Sequence, residues 1–168
     1  AVEHQAFIDY LTNLPNRYRC DVKLSEAMEV VAGGDIPGCL IYVDLDNFRK
    51  INHELGYDMG DELILSLAKY LKEVFPEPNE IFRFGGDEFV VLMNHLESRW
   101  AEEYLDELMK RASKPWDIHG TELRCTPSIG VVKFTGREEG HREILRKAEE
   151  ALYDCKKAGG NQYKMVEA

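Results

Sequence analysis

The sequence predicts an α/β fold with a mixed or antiparallel central sheet, and three features predict it. Short apolar runs bounded by Gly and Asp, such as Cys39–Val43, read as buried strands. Amphipathic stretches such as Asp61–Phe75 read as helices with one face on the sheet. Two strand-like runs, Ile81–Phe84 and Asp87–Met93, are separated only by Gly85-Gly86, which marks a hairpin. Strands and helices alternate without a long linker or internal repeat, so residues 1–168 are expected to form a single domain.

The elements follow in order. Residues 1–8 read as the end of an N-terminal linker helix, and Asp9–Arg17, with its Asn and Pro residues, as a structured loop. A helix is expected from about Tyr18 to Val31, ended by Gly33-Gly34-Asp35-Ile36-Pro37-Gly38. Strand Cys39–Val43 comes next. In the helix Asp61–Phe75, Leu63, Leu67, Leu71 and Val74 recur at three- and four-residue intervals, and Pro76 stops it. Beyond the Gly-Gly hairpin, Glu97–Ser113 reads as helix, and Trp116–Ile118 with Glu122–Cys125 as a minor hairpin around Gly120. Ser128–Phe134 is a further strand. Arg142–Ala158 is a helix carrying Ile144, Leu145, Ala148, Ala151, Leu152 and Cys155 on one stripe, and Tyr163–Val166 closes the sheet.

Composition narrows the function classes. The longest apolar runs are about five residues, far below the roughly 20 that a membrane helix needs, and no charged-then-apolar leader is present. The expectation is a soluble, cytoplasmic chain without membrane contact of its own, or the cytoplasmic domain of a membrane-anchored protein. The four cysteines are scattered without a C-x-x-C pair, which argues against a disulfide framework or a zinc site. A formal net charge of −10 argues against nucleic-acid binding but suits an acidic, metal-holding site.

Two places carry candidate chemistry. Asp44-Leu45-Asp46 directly follows a buried strand, so its carboxylates open onto the rim of the sheet, where ligand sites tend to lie. In extended geometry Asp44 and Asp46 project to the same side; the plain alternative is that they solubilise or cap the turn into Phe48. In a two-residue Gly85-Gly86 turn, Phe84 lies opposite Asp87 and Arg83 opposite Glu88. Glu88 then either pairs with Arg83 or serves the site. Asp87 has no partner by register and shares a face with Phe82, Phe84 and Phe89, where an unpaired carboxylate is costly unless a metal ion relieves it. Asp44, Asp87 and the Leu45 carbonyl form a minimal oxygen set for a hard cation such as Mg²⁺. The absence of side chains at Gly85 and Gly86 would let a phosphate or base approach the backbone.

Four blocks in order resemble the GGDEF family of diguanylate cyclases: DYLTNLPNR (Asp9–Arg17), VDLDNFRKINHELGYDMGD (Val43–Asp61), RFGGDEF (Arg83–Phe89) and AEEALYDCKKAGGN (Ala148–Asn161). The resemblance covers nearly the whole chain. It implies a ferredoxin-like βαββαβ core with a five-stranded central sheet flanked by helices, related to nucleotidyl cyclase and polymerase palm domains. It also implies a homodimer in which each domain holds one GTP, with the 3′-hydroxyl of one attacking the α-phosphate of the other to give cyclic di-GMP and pyrophosphate. Mg²⁺, with Mn²⁺ as an alternative, would act by the two-metal strategy. By position, Asp44, the Leu45 carbonyl and Asp87 match the family's metal ligands, and Glu88 contributes to metal binding or deprotonation. Asn52 and Asp61 match its guanine readers, since their side chains can meet the base's N1 and N2 donors. Arg49 and Lys156 match phosphate contacts; Phe48, Gly85 and Gly86 complete the substrate site. Asp61 also reads as an acid at a helix N-terminus, Arg49 as a solvated loop cation, and Lys156 as a snorkelling side chain.

The match has departures. His53 and Tyr57 stand where the family has Asp and His, and Gly160 replaces a basic residue in its Gly-Arg-Asn. Pro76-Glu77-Pro78-Asn79 occupies the place of the Arg-x-x-Asp product-inhibition motif, so no such site is expected around Pro76 and Asn79. The implied function is a diguanylate cyclase driven by an upstream sensory or regulatory domain. The alternative is a catalytically weak or inactive module that binds GTP or a partner protein.

Overall fold

The computed structural model describes residues 6–168. Residues 1–5 of the expected linker helix lie outside the described part, and the helix does not reach Ile8, which forms an antiparallel bridge with Pro15. Asn16 caps the first helix, α1 (Arg17–Val31), its side chain accepting from the Tyr18 and Arg19 amides at 3.1 and 3.3 Å.

The strands are β1 (Gly38–Leu45), β2 (Glu80–Gly85), β3 (Glu88–Met93), β6 (Pro127–Phe134) and β7 (Gln162–Glu167), with a separate small hairpin β4 (Trp116–Ile118) and β5 (Thr121–Leu123). The main sheet has five strands in the order β2-β3-β1-β6-β7. All pairs are antiparallel except β6 with β7, so the sheet is mixed, as expected. The first four strands in space have the ferredoxin-like arrangement, and β7 extends it after a helical crossover.

Between β1 and β2 lie two helices, α2 (Phe48–Leu55) and α3 (Tyr57–Val74). The sequence reading missed α2 and began α3 at Asp61; the chain instead re-enters helix at Tyr57, directly after Gly56, whose φ of +92° few other residues adopt. Asp58, not Asp61, is the acid in the first turn of α3. Helices α4 (Ala101–Ala112) and α5 (His141–Lys157) complete the set.

Alternation along β1 divides the core into two layers. Cys39, Ile41, Val43 and Leu45 pack with Leu63, Leu67 and Leu71 of α3 and Leu105 and Leu108 of α4. Leu40 and Tyr42 pack on the other face with Leu24 and Met28 of α1 and Ile144, Ala148 and Leu152 of α5. Phe82 lies in the second layer and Phe89 in the first, so the expected common face for the two with Asp87 is not formed. Gly130 lets α5 press onto β6: a Cβ there would overlap the Ala148 carbonyl. No helix among the described residues is long and apolar enough to cross a membrane.

Candidate active site

Antiparallel pairing of β1 with β3 brings the C-terminal end of one against the start of the other, with Asp44 opposite Glu88. The β2–β3 turn therefore hangs beside Asp44. Its tip is Gly86-Asp87, not Gly85-Gly86: the register shifts between Arg83 and Gly85, so Gly85 faces Glu88 and Arg83 faces Phe89. The irregularity at Phe84 moves every expected cross-strand partner by one. Gly85 and Gly86 have φ of +124° and +50°, and nothing lies within 4 Å of the Cβ either would carry. The turn is thus open to a ligand at its backbone.

The shift frees Glu88 from Arg83. Arg83 instead reaches Asp9, its Nη1 at 3.1 Å from both carboxylate oxygens, while Nη2 donates to the Gly86 carbonyl at 2.7 Å. Glu88 accepts from the Tyr42 hydroxyl at 3.1 Å. It faces a cavity shared with Asp44, Arg146, Glu149 and Lys156, on the α5 side of the sheet end.

Asp87, at the turn tip, comes within hydrogen-bonding reach of Asp44. Burial first, then the contact with Asp87 and its charge, push the Asp44 carboxyl well above the usual carboxylate range, and Lys156 opposes them. Two carboxylates held this close favour a shared proton or a bound cation. Among the described residues no three His, Cys, Asp or Glu side chains form a metal-holding group. The oxygen set is two carboxylates with the Leu45 carbonyl, whose donor chemistry suits Mg²⁺ or Mn²⁺ rather than zinc.

Asp46 has a different task. It accepts from the Thr126 and Ser128 hydroxyls at 2.8 and 2.7 Å and from the Asn161 amide at 2.9 Å. Its side chain thus ties the C-terminal loop to the end of β1. Gly160 in that loop has φ of +77°, and a Cβ there would stand 2.7 Å from Asp46 Oδ2, so the tight turn explains the glycine. Lys156 lies beneath this loop, 3.2 Å from Asp46 Oδ1 and 3.8 Å from Asp44 Oδ1.

From the carboxylates a cleft of about 860 Å³ runs along α2, lined by Leu45, Phe48, Arg49, Asn52, His53, Tyr57, Gly86 and Lys156. The buried Asn52 Oδ1 has no hydrogen-bond partner. An orphaned buried acceptor beside a cleft marks a place for a ligand's N–H group. Gly60, which sequence reasoning passed over, makes room for it: a Cβ at Gly60 would overlap Asn52 Oδ1. Three of the expected site residues stand off from the cleft lining: Glu88, which faces the cavity on the α5 side, Gly85 in the turn, and Asp61, which is exposed one helical turn beyond Tyr57.

Known proteins resemble this chain in both sequence and fold. The family model "Diguanylate cyclase, GGDEF domain" matches residues 6–162. The bifunctional diguanylate cyclase/cyclic di-GMP phosphodiesterase MucR of Pseudomonas aeruginosa is 33% identical over 97% of this chain and 24% of its own length. The response regulator PleD of Caulobacter vibrioides is 32% identical over 93% of this chain and 35% of its own length. The chain thus spans about a quarter to a third of these two relatives. Among solved structures, a diguanylate cyclase/phosphodiesterase of Caldicellulosiruptor saccharolyticus superposes with a TM-score of 0.88 at 26% identity, over 99% of this chain and 97% of that one. The coiled coil and GGDEF domain of DgcB of Caulobacter crescentus, solved with c-di-GMP, gives 0.86 at 27% identity over 98% of this chain and 88% of that one.

Proposed function

The chain belongs to the GGDEF family of diguanylate cyclase domains, and on that premise we propose that it condenses two GTP molecules into cyclic di-GMP. The observation that carries the reading is the meeting of Asp44 and Asp87 beside the Leu45 carbonyl, at one end of a cleft whose other end holds the orphaned Asn52 acceptor.

The base lies along α2. Asn52 Oδ1 accepts from the guanine N1–H or N2–H groups, and Phe48 and Tyr57 supply apolar and aromatic wall. Asp61 adds a second acceptor once its side chain turns in past Tyr57. The triphosphate runs over Gly85 and Gly86, whose bare backbone permits contact, and Arg49 and Lys156 neutralise its oxygens. Asp44, Asp87 and the Leu45 carbonyl hold Mg²⁺, with Mn²⁺ as a substitute; bound there, it lowers the pKa of the attacking hydroxyl and neutralises phosphate charge. Glu88, which accepts from Tyr42 on the α5 side, receives the 3′-hydroxyl proton directly or through water.

In each transfer a 3′-oxygen bonds to the α-phosphorus of the other GTP, the bond to the β-phosphate oxygen breaks, and pyrophosphate leaves. Each cleft presents one nucleotide, so two copies of the chain face each other, positioned by a sensory or regulatory domain elsewhere in the protein. Residues 1–168 form the single cyclase domain, and the reaction takes place in the cytoplasm.

Two observations favour a second reading, a GTP- or partner-binding module with little turnover. The basic residue expected at position 160 is absent, and Lys156 is engaged with Asp46 and the Leu45 carbonyl. Product analysis separates the two. The chain at high concentration with GTP and Mg²⁺ should give cyclic di-GMP and pyrophosphate in a 1:2 ratio; GTP binding without pyrophosphate release, even after enforced dimerisation, would replace the cyclase reading by the second.

A further inference from the structure

Lys156 makes three contacts at the end of β1. Its Nζ donates to the Leu45 carbonyl at 3.3 Å and to Asp46 Oδ1 at 3.2 Å, and stands 3.8 Å from Asp44 Oδ1. Two of these partners, the Leu45 carbonyl and Asp44, belong to the oxygen set assigned above to the divalent cation. The third does not: Asp46 is saturated by Thr126, Ser128 and Asn161 as well as by Lys156. Asp46 is therefore a fixed anchor, while the other two oxygens are contested.

An ammonium group and a divalent cation cannot bind the same carbonyl without strong repulsion, because at about 4 Å and an effective dielectric near 20 a +1/+2 pair repels by more than about ten times RT. A lysine on a flexible stem can yield; a backbone carbonyl cannot. We infer that Lys156 is a displaceable counter-ion seated on the cation's own ligands, which leaves the Leu45 carbonyl and Asp44 when the cation enters and passes to the triphosphate while still flanking Asp46. The inference rests on the cyclase reading of the site and adds a regulatory element to it. Cation entry and the freeing of a phosphate-binding charge become one event, so the two ligands bind cooperatively, and by linkage each raises the other's affinity by the same factor.

The test uses the 168-residue chain without nucleotide, titrated with Mn²⁺ and followed by the electron paramagnetic resonance signal of the free ion. Lys156→Gln should bind Mn²⁺ about tenfold more tightly than wild type, since the competing ammonium is gone. Arg49→Gln, which removes an equal charge from the same cleft without a contact to the Leu45 carbonyl, should tighten binding by less than about threefold. In parallel, Lys156→Gln should bind GTP about tenfold more weakly, and the gain in GTP affinity on adding Mn²⁺ should shrink from its wild-type value. Lys156→Met serves as a second variant, with circular dichroism confirming the fold of each. Equal tightening by Lys156→Gln and Arg49→Gln would reduce the effect to general charge and overturn the displacement. Unchanged Mn²⁺ affinity in both Lys156 variants would also overturn it, while leaving the cyclase reading in place. No Mn²⁺ binding by wild type or variants, with or without GTP, would instead remove the cation reading and this inference with it.

Discussion

Arg83 and Asp9, 74 residues apart in sequence, form a bidentate contact in which one guanidinium nitrogen lies 3.1 Å from each carboxylate oxygen. The same guanidinium holds the Gly86 carbonyl at 2.7 Å. The N-terminal loop, itself hydrogen-bonded to β2 through the Arg83 amide and the Pro15 carbonyl at 2.9 Å, thus fixes the turn that carries Asp87. Arg83 is only 11% exposed, so removing it strands Asp9 in a largely desolvated place. Arg83→Ala should cost on the order of 2–3 kcal/mol in urea unfolding. It should also lower turnover at saturating GTP, because the turn is no longer held; unchanged stability would show that the pair is ornamental.

The same pair sets a pH dependence. Burial raises the Asp9 carboxyl, but hydrogen bonds from the Thr12 hydroxyl and amide and from Arg83, with the charge of Arg83, outweigh it and hold the group below its ordinary value. A folded-state value below the unfolded one means the stabilisation is complete above the unfolded value, about 3.9, and is lost as pH falls through the folded value. The stability difference between wild type and Asp9→Asn should therefore be constant from about pH 7 to 5 and shrink below about pH 4. Urea unfolding across that range measures it, and a difference that grows on acidification would reverse the assignment.

Gly60 supplies a test of base recognition that leaves the carboxylates untouched. In Gly60→Ala the new methyl group overlaps Asn52 Oδ1, so the Asn52 side chain must turn away from its place. Losing one hydrogen bond to a desolvated base should weaken GTP binding by about tenfold, with Mn²⁺ affinity unchanged. Calorimetric titration with a non-hydrolysable GTP analogue reads this directly, and unaltered affinity would place the base elsewhere.

Asp46 should matter to the fold and not to the cation. Asp46→Ala orphans the Thr126 and Ser128 hydroxyls, the Asn161 amide and one contact of Lys156, at an expected cost of about 2–3 kcal/mol. Amide exchange at Asn161 should speed up, while Mn²⁺ still binds. Loss of Mn²⁺ binding in a folded Asp46→Ala protein would make Asp46 a ligand.

The sheet was legible in the sequence because its strands are short apolar runs ended by Gly, Asp or Pro, and the large helices because their apolar residues recur on one stripe. Helix α2 was not, since its eight residues carry only Phe48, Ile51 and Leu55 as apolar marks and follow a left-handed Asn47 that no periodicity announces. The hairpin was placed one residue early because an irregularity at Phe84 leaves no compositional trace. That single shift also reversed the pairing expected of Glu88, whose partner is Tyr42 rather than Arg83. The carboxylate pair was legible at Asp44 and Asp87 individually; their contact depends on strand register and turn geometry, which sequence spacing does not encode.

The central claim is that Asp44 and Asp87 form one site whose cost to the fold is offset by what it binds. In Asp87→Asn the charge that presses on Asp44 is gone, so the protein should be at least as stable as wild type in the absence of metal. Cyclic di-GMP formation from GTP and Mg²⁺ should nevertheless fall by about a thousandfold, roughly 4 kcal/mol of transition-state stabilisation. Thermal unfolding and product formation measured on the same Asp87→Asn preparation decide the matter: an inactive protein with an undiminished melting temperature is the predicted result. A folded variant that still makes cyclic di-GMP at near wild-type rate would contradict the account.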